Sequence, residues 1–207
     1  MPGFDRIISL GSSCTPAYQI RRHFGEKASF PFDWSLLRMP DVVPALKSKM
    51  QDEFSPEAVK RGSYIDRPAI FGKYATHLHD LPEPVMAAPD DAWRGQLGLL
   101  QRRFDFMWRL LEEAAQGEVL FIRSSAAEDE YLRPNFPEFF RDISNALKEV
   151  FSRASVTFLC VDYQLDTPLD IPGLITAQVE SYQPHNMGCD RGWSELFERL
   201  GIRRREN

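Results

Sequence analysis

Arg6-Ile7-Ile8-Ser9-Leu10-Gly11-Ser12-Ser13-Cys14-Thr15-Pro16-Ala17 reads as a short apolar strand, a tight Gly-Ser turn, a thiol and the first turn of a helix. Proline is tolerated in a first helical turn, and Ala17, Ile20 and Phe24 follow at helical spacing before Gly25 ends the run. A cysteine at such a helix start meets unpaired backbone N–H groups and the positive end of the macrodipole. Both favour the thiolate over a thiol that otherwise titrates near ~8.5. Cys14 is therefore the leading candidate nucleophile. The plainer alternative is a small residue packing a strand-helix corner, as free cysteines commonly do.

Outward from this segment, apolar runs alternate with amphipathic helices. Trp93, Leu97, Leu100, Phe104, Met107, Leu111 and Ala115 recur at steps of three and four, predicting a helix from Asp91 to Gln116. Gly117 punctuates it, and Val119 to Ile122 reads as a buried strand. Phe136, Phe139, Ile143, Leu147 and Val150 mark a further helix. Val156 to Val161 and Ile175 to Val179 read as strands, and Trp193 to Leu200 as a last helix. Buried parallel strands are apolar on both faces and need crossover connections, so the pattern predicts βαβ units. The expected fold is a single α/β domain over 1-207, a three-layer sandwich with a mainly parallel sheet, SGNH-like or flavodoxin-like, carrying an irregular inserted region. Within that insertion, Asp41 to Met50 and Ser55 to Arg61 read as short helices, and Tyr64 to Leu81 as extended chain or a hairpin around Gly72.

Composition narrows the function. The 207 residues are 43% hydrophobic and 27% charged, enough for a real core. A net charge of −5 with mixed signs gives no reason to expect nucleic acid or an anionic membrane as partner, and Arg203-Arg204-Arg205 reads as a solvated tail. No apolar run approaches a membrane span, and no basic region with a long apolar segment opens the chain. Cys14, Cys160 and Cys189 show neither disulfide nor zinc spacing, which fits a reducing cytoplasm. No cofactor is implied.

In open parallel sheets the functional crevice lies beyond the carboxyl ends of the strands. That rule gathers Gly11 to Cys14, Arg123-Ser124-Ser125, Asp162-Tyr163 and Tyr182 to His185. A nucleophilic thiol needs a base and an oxyanion site. Of the four histidines, His23 reads as a solvated residue or a favourable charge at a helix end. His77 and His79 share a side of an extended segment and are followed by Asp80. That trio lacks further ligands for a metal and reads more simply as a polar hairpin edge. His79 and His185 both remain candidate bases. Ser12 and Ser13 are placed to cap the helix or line an oxyanion site. Arg123 is a candidate clamp for a substrate carboxylate or phosphate, or a bridge to Asp162 or Asp33. Phe30 to Trp34 reads as a hydrophobic plug, with Asp33 either capping the next turn or facing the site. Cys160 reads as inert core; Cys189 reads as an exposed loop cysteine with no helix start immediately after it.

Ile8-Ser9-Leu10-Gly11-Ser12-Ser13-Cys14 with Ala17, Arg21-Arg22, Pro31-Phe32-Asp33-Trp34, His79-Asp80 and Leu120-Phe121-Ile122-Arg123 together resemble a mainly bacterial family of papain-like cysteine peptidases. The resemblance implies Cys14 as nucleophile and His79 as its partner, with Asp80 or another polar group orienting the imidazole. The strand-led turn is also similar to SGNH-type esterases, in which a serine holds that position; by that analogy His185 becomes the base. The expected activity is a thiol-dependent hydrolase or acyltransferase acting on a peptide, ester or thioester. The rival is a non-catalytic module in which the helix start and Arg123 hold a phosphorylated or carboxylated small molecule.

Overall fold

The structure, a computed structural model, describes residues 3–65, 67–78, 89–125, 130–165, 169–180 and 188–205. Strand β1 (Arg6–Ser9) leads through the Gly11–Cys14 turn into helix α1 (Thr15–Phe24), which Gly25 closes in the left-handed conformation. Then follow β2 (Ser35–Leu37), α2 (Met39–Ser48), β3 (Lys60–Tyr64), β4 (Arg67–Phe71), β5 (Ala75–His77) and the long helix α3 (Asp90–Ala114). Strand β6 (Gly117–Ser124), a 3₁₀ turn, α4 (Phe136–Val150), β7 (Ala154–Val161), β8 (Leu174–Ala177) and α5 (Asp190–Arg199) complete the order.

These strands make two sheets. One is parallel throughout, in the order β1-β6-β7-β8, with Ile7 opposite Leu120 and Phe121 opposite Phe158. Side chains alternate across it with the two-residue period of a strand. Ile8, Val119, Phe121, Phe158 and Cys160 join one hydrophobic cluster with residues of α2, α3 and α4, whereas Ile7, Leu120, Ile122, Leu159 and Val161 join another with Ile20 of α1 and Trp193, Leu196 and Phe197 of α5. Both faces are thus buried, which explains why the strands read as continuous apolar runs.

The second sheet lies in the region expected to be an irregular insertion; the hairpin expected around Gly72 is β4 and β5, and the short helix expected from Asp41 to Met50 is α2. The sheet is antiparallel, in the order β2-β5-β4-β3, with a bend at Gly72 between β4 and β5. Ser55 to Arg61, expected as a short helix, forms turns and the start of β3 instead. The outer strand β3 is mostly exposed and carries few apolar residues, so its sequence lacks the usual signal of a half-buried strand. The class is mixed α/β, with equal shares of parallel and antiparallel strands.

Residues 203–205 are a correction to the expected free tail. Phe4 N donates to Arg203 O, Arg205 N donates to Phe4 O, and Phe4 bridges Arg204 in parallel fashion beside the entry to β1. The flavodoxin-like order 2-1-3-4-5 would put a full parallel strand on that side of β1. Among the described residues only this short bridge is there.

Candidate functional site

At the carboxyl end of β1 the backbone turns sharply. Gly11 and Ser12 both have positive φ, 72° and 78°. Glycine takes this conformation without strain, but for serine it is uncommon. It is held in place because Ser12 is fully buried and its Oγ lies 3.3 Å from Ser124 Oγ at the end of β6. A Cβ on Gly11 would lie 3.2 Å from Leu37 Cβ and 3.5 Å from the carbonyls of Phe32 and Ser35, so the turn is seated directly on the segment entering the second sheet.

Cys14 occupies the N-cap position of α1 with helical backbone angles, and its carbonyl accepts from Tyr18 N at 3.0 Å. Its side chain is half-buried, while Cys160 is completely buried in β7 and Cys189 is 5% exposed. Ser13 Oγ accepts from Thr15 N at 3.3 Å and so satisfies one of the first amides of α1. Ser12 and Ser13 thereby flank the thiol with one hydroxyl turned into the sheet and one bonded to the helix start.

Arg123 is fully buried, and among the described residues it bonds to carbonyls and a phenol in place of the expected Asp162 or Asp33. Nη1 donates to Leu10 O at 2.9 Å, Nη2 to Leu37 O, and Nε to Tyr163 Oη at 3.0 Å, while Tyr163 Oη donates to Ser124 O at 3.1 Å. One guanidinium ties the ends of β1 and β6 to β2 and to the residues after β7. Asp162 Oδ1 accepts from Val179 N at 2.7 Å, and burial raises its carboxyl above the usual range against that bond. Asp33 is buried as well: its Oδ2 accepts from Phe30 N at 3.0 Å and pairs with Arg21 at 3.2 Å. Desolvation outweighs the Phe30 amide and the Arg21 charge and pushes the Asp33 carboxyl up to about 6.

The histidines divide. His23 is half-buried between Phe24 and Phe197, with ring centroids 4.7 and 5.0 Å away, and not the solvated group expected; burial and the neighbouring Arg22 lower its pKa. His77 is a core residue, which corrects its reading as part of a polar edge. Its Nε2 lies 2.8 Å from Glu53 Oε1 and its Nδ1 3.4 Å from Ser35 Oγ, both partners buried. His79, Asp80 and His185 lie outside the described residues.

Around the turn lie two neighbours whose contacts sequence did not reveal. Ser124 was legible as a residue beyond a strand end, but its bond to Ser12 spans 112 positions. Gly188 sits against the helix start: a Cβ there would lie 2.9 Å from Thr15 Cγ2. Cys189, expected in an exposed loop with no helix start immediately after it, is buried as the N-cap of α5 and accepts from Gly192 N through Sγ at 3.4 Å. On the other side, a cleft of about 440 Å³ opens over the second sheet, lined by Leu37, Arg38, Tyr64, Phe71, Lys73 and Tyr74.

The sequence profile of one family, DUF1796, described as "Putative papain-like cysteine peptidase", matches residues 5–162. No curated protein and no solved structure matches the chain. No described helix is long and apolar enough to cross a membrane.

Proposed function

Since this chain belongs to the DUF1796 family, whose profile spans β1 through β7, we propose that it is a thiol-dependent hydrolase with Cys14 as its nucleophile. The observation that carries the reading is the contrast among the cysteines. Cys14 alone is half-exposed, and it alone sits at a helix start reached directly from a parallel strand. The helix dipole and the amides of the Ser12–Cys14 turn favour negative charge there.

In the proposed reaction the Cys14 thiolate adds to a substrate carbonyl, and turn amides near Ser12 and Ser13 hold the oxyanion. An imidazolium gives its proton to the leaving group as the acyl bond breaks. Water, deprotonated by the same imidazole, then cleaves the thioester, expelling the thiolate and so restoring the thiolate–imidazolium pair, while the acid product loses its proton to solvent. His79 and His185 are the candidates for that imidazole, with Asp80 orienting His79. Two observations bear on the choice. Gly188, three positions after His185, packs on Thr15 next to Cys14, which supports His185. His77, two positions before His79, is anchored in β5, whose partner β2 carries Leu37 against Gly11, which supports His79. Peptide, ester and thioester substrates all satisfy the chemistry, as does acyl transfer to an acceptor other than water.

Arg123 serves in this reading as a brace that fixes the Ser12–Ser124 pairing. The non-catalytic alternative needs that guanidinium for its ligand, and its bonds to Leu10, Leu37 and Tyr163 weigh against it. Asp33, paired with Arg21, positions the Phe30–Trp34 segment beneath Gly11. Helices α2, α3 and α4 in one hydrophobic cluster and α1 and α5 in the other support a three-layer arrangement of SGNH-like type, and the cytoplasm is the location we infer for a thiol enzyme of this kind.

Iodoacetamide labelling across pH, read separately at each cysteine, tests the proposal. Cys14 alkylating well below the ~8.5 of a free thiol, with Cys160 and Cys189 protected, is the expected result. Cys14 labelling that rises only near the free-thiol value would refute the proposal.

A further inference from the structure

At the other end of α1, roughly 15 Å along a ten-residue helix from Cys14, the structure holds a second feature that the hydrolase reading does not use. An open cleft of about 700 Å³ lies between the last turn of α1, the entry to β1 and residues 202–205. Its volume is within the range of small-molecule sites. Arg6, His23, Arg203, Arg204 and Arg205 line it, with Phe24 and Ile202 as the apolar part of the wall.

Charge is concentrated there against the trend of the molecule. The chain carries −5 overall, yet four arginines meet at this cleft. Two carboxylates partly offset them: Glu26 pairs with Arg204 at 3.4 Å and Asp5 with Arg205 at 3.3 Å. Asp5 is further committed through Oδ2 to Glu118 N, and Glu26 through Oε1 to the amides of Lys27 and Ala28. Arg6 donates to the carbonyl of its neighbour Asp5, and with the Glu118 amide and Arg205 its charge helps hold the Asp5 carboxyl below the usual range, whereas Arg203 forms no ion pair with any described residue. The backbone of 203–205 is not loose chain, because Phe4 fixes it through two hydrogen bonds. Arg203, with no carboxylate partner among the described residues, and Arg6, which shares Asp5 with Arg205, are therefore presented on a fixed frame beside an aromatic ring.

We propose that this cleft binds a small organic anion, a phosphate monoester or a free carboxylate bearing an apolar group, with Arg6 and Arg203 engaging the anion and Phe24 and Ile202 its apolar part. Guanidinium suits both headgroups, since its fork matches either in bidentate fashion. The site lies at the amino end of β1, opposite the Cys14 turn, and stands independently of the hydrolase reading.

Titration of the full chain with phenyl phosphate, phthalate and inorganic phosphate by isothermal calorimetry, at low and physiological salt, tests it. For probes of about ten heavy atoms a dissociation constant near 1 mM is expected, with the two aromatic probes tighter than inorganic phosphate. Which aromatic probe binds better distinguishes the two headgroups. Arg203→Glu is an exposed substitution that leaves the 203–205 backbone bonds in place, and it should weaken binding at least ~10-fold, as should Arg6→Gln. Cys14→Ala should bind as the parent does, which separates this site from the reactive turn. Absence of saturable binding to the parent protein, or equal binding by Arg203→Glu in a sample whose circular dichroism is unchanged, would overturn the proposal.

Discussion

Asp33 combines an ion pair with nearly complete burial, and its titration should be visible in the stability of the protein. With the folded pKa near 6 against 3.8 in the unfolded chain, the native state binds more protons than the unfolded state between those values. Stability contributed by this group is therefore complete below pH 4 and is lost as pH rises through 6, by on the order of 3 kcal/mol. Asp33→Asn should remove that slope, so its stability relative to the parent improves from pH 4.5 to 7.5; urea titrations at several pH values measure it. A constant offset across the range would show that the carboxyl is ionised throughout. Arg123 makes the opposite kind of contribution. Arg123→Met removes three charge-assisted bonds and leaves the carbonyls of Leu10 and Leu37 buried without their donor, at a cost of about 3 kcal/mol or more. A loss below ~1 kcal/mol would mean that solvent reaches this site. For Cys14 itself, Cys14→Ala should abolish turnover of any acyl substrate found, whereas loss of one oxyanion donor should cost ~10²-fold or more.

At the scale of elements, the turn that carries Cys14 is only as firm as the sheet beneath it. Glu53 accepts from Tyr74 N at 2.9 Å and Ala75 N at 3.1 Å and holds His77 Nε2 at 2.8 Å; it thus fastens the β4–β5 bend to the residues following α2. His77 in turn pairs with Ser35, whose carbonyl lies next to Gly11. Gly72 is required at the bend because a methyl group there would collide with Glu53 Oε1. Gly72→Ala should cost ~1–3 kcal/mol as overpacking, and Glu53→Gln should speed amide exchange in β5 ahead of the parallel sheet. Exchange of β5 unchanged in both variants would disconnect this network from the sheet. The same elements show what the sequence could reveal. β1, the Gly-Ser turn and α1 were legible because every signal is local: apolar run, turn residues, first-turn proline, closing glycine. The buried strands were legible as continuous apolar runs and the long helices by period. The Glu53–His77 pair was not, since its partners are 24 positions apart and nothing in Asp52-Glu53-Phe54 distinguishes a buried carboxylate from a solvated one. Arg123 was recognised as needing a partner, but carbonyls 113 and 86 residues away carry no side-chain signature.

For the molecule as a whole, the pairing of Phe4 with Arg204 closes the outer side of β1 with chain from almost 200 positions away. Ile202, 4% exposed in the cluster with Phe4 and Phe197, anchors that return. Ile202→Ala should cost ~2–4 kcal/mol and loosen residues 203–205 together. Thermal denaturation and limited proteolysis at the Arg203–Arg205 bonds provide the measurement, and unchanged proteolysis would show that the backbone bonds alone suffice. There is also a consequence in time. Closing so long a loop is entropically affordable only after nearer pairings have shortened its effective span. The junction should thus be the last seam sewn during refolding and the first to part under stress. Pulsed deuterium labelling should find the amides of Phe4 and Arg205 acquiring protection after those of β6 and β7.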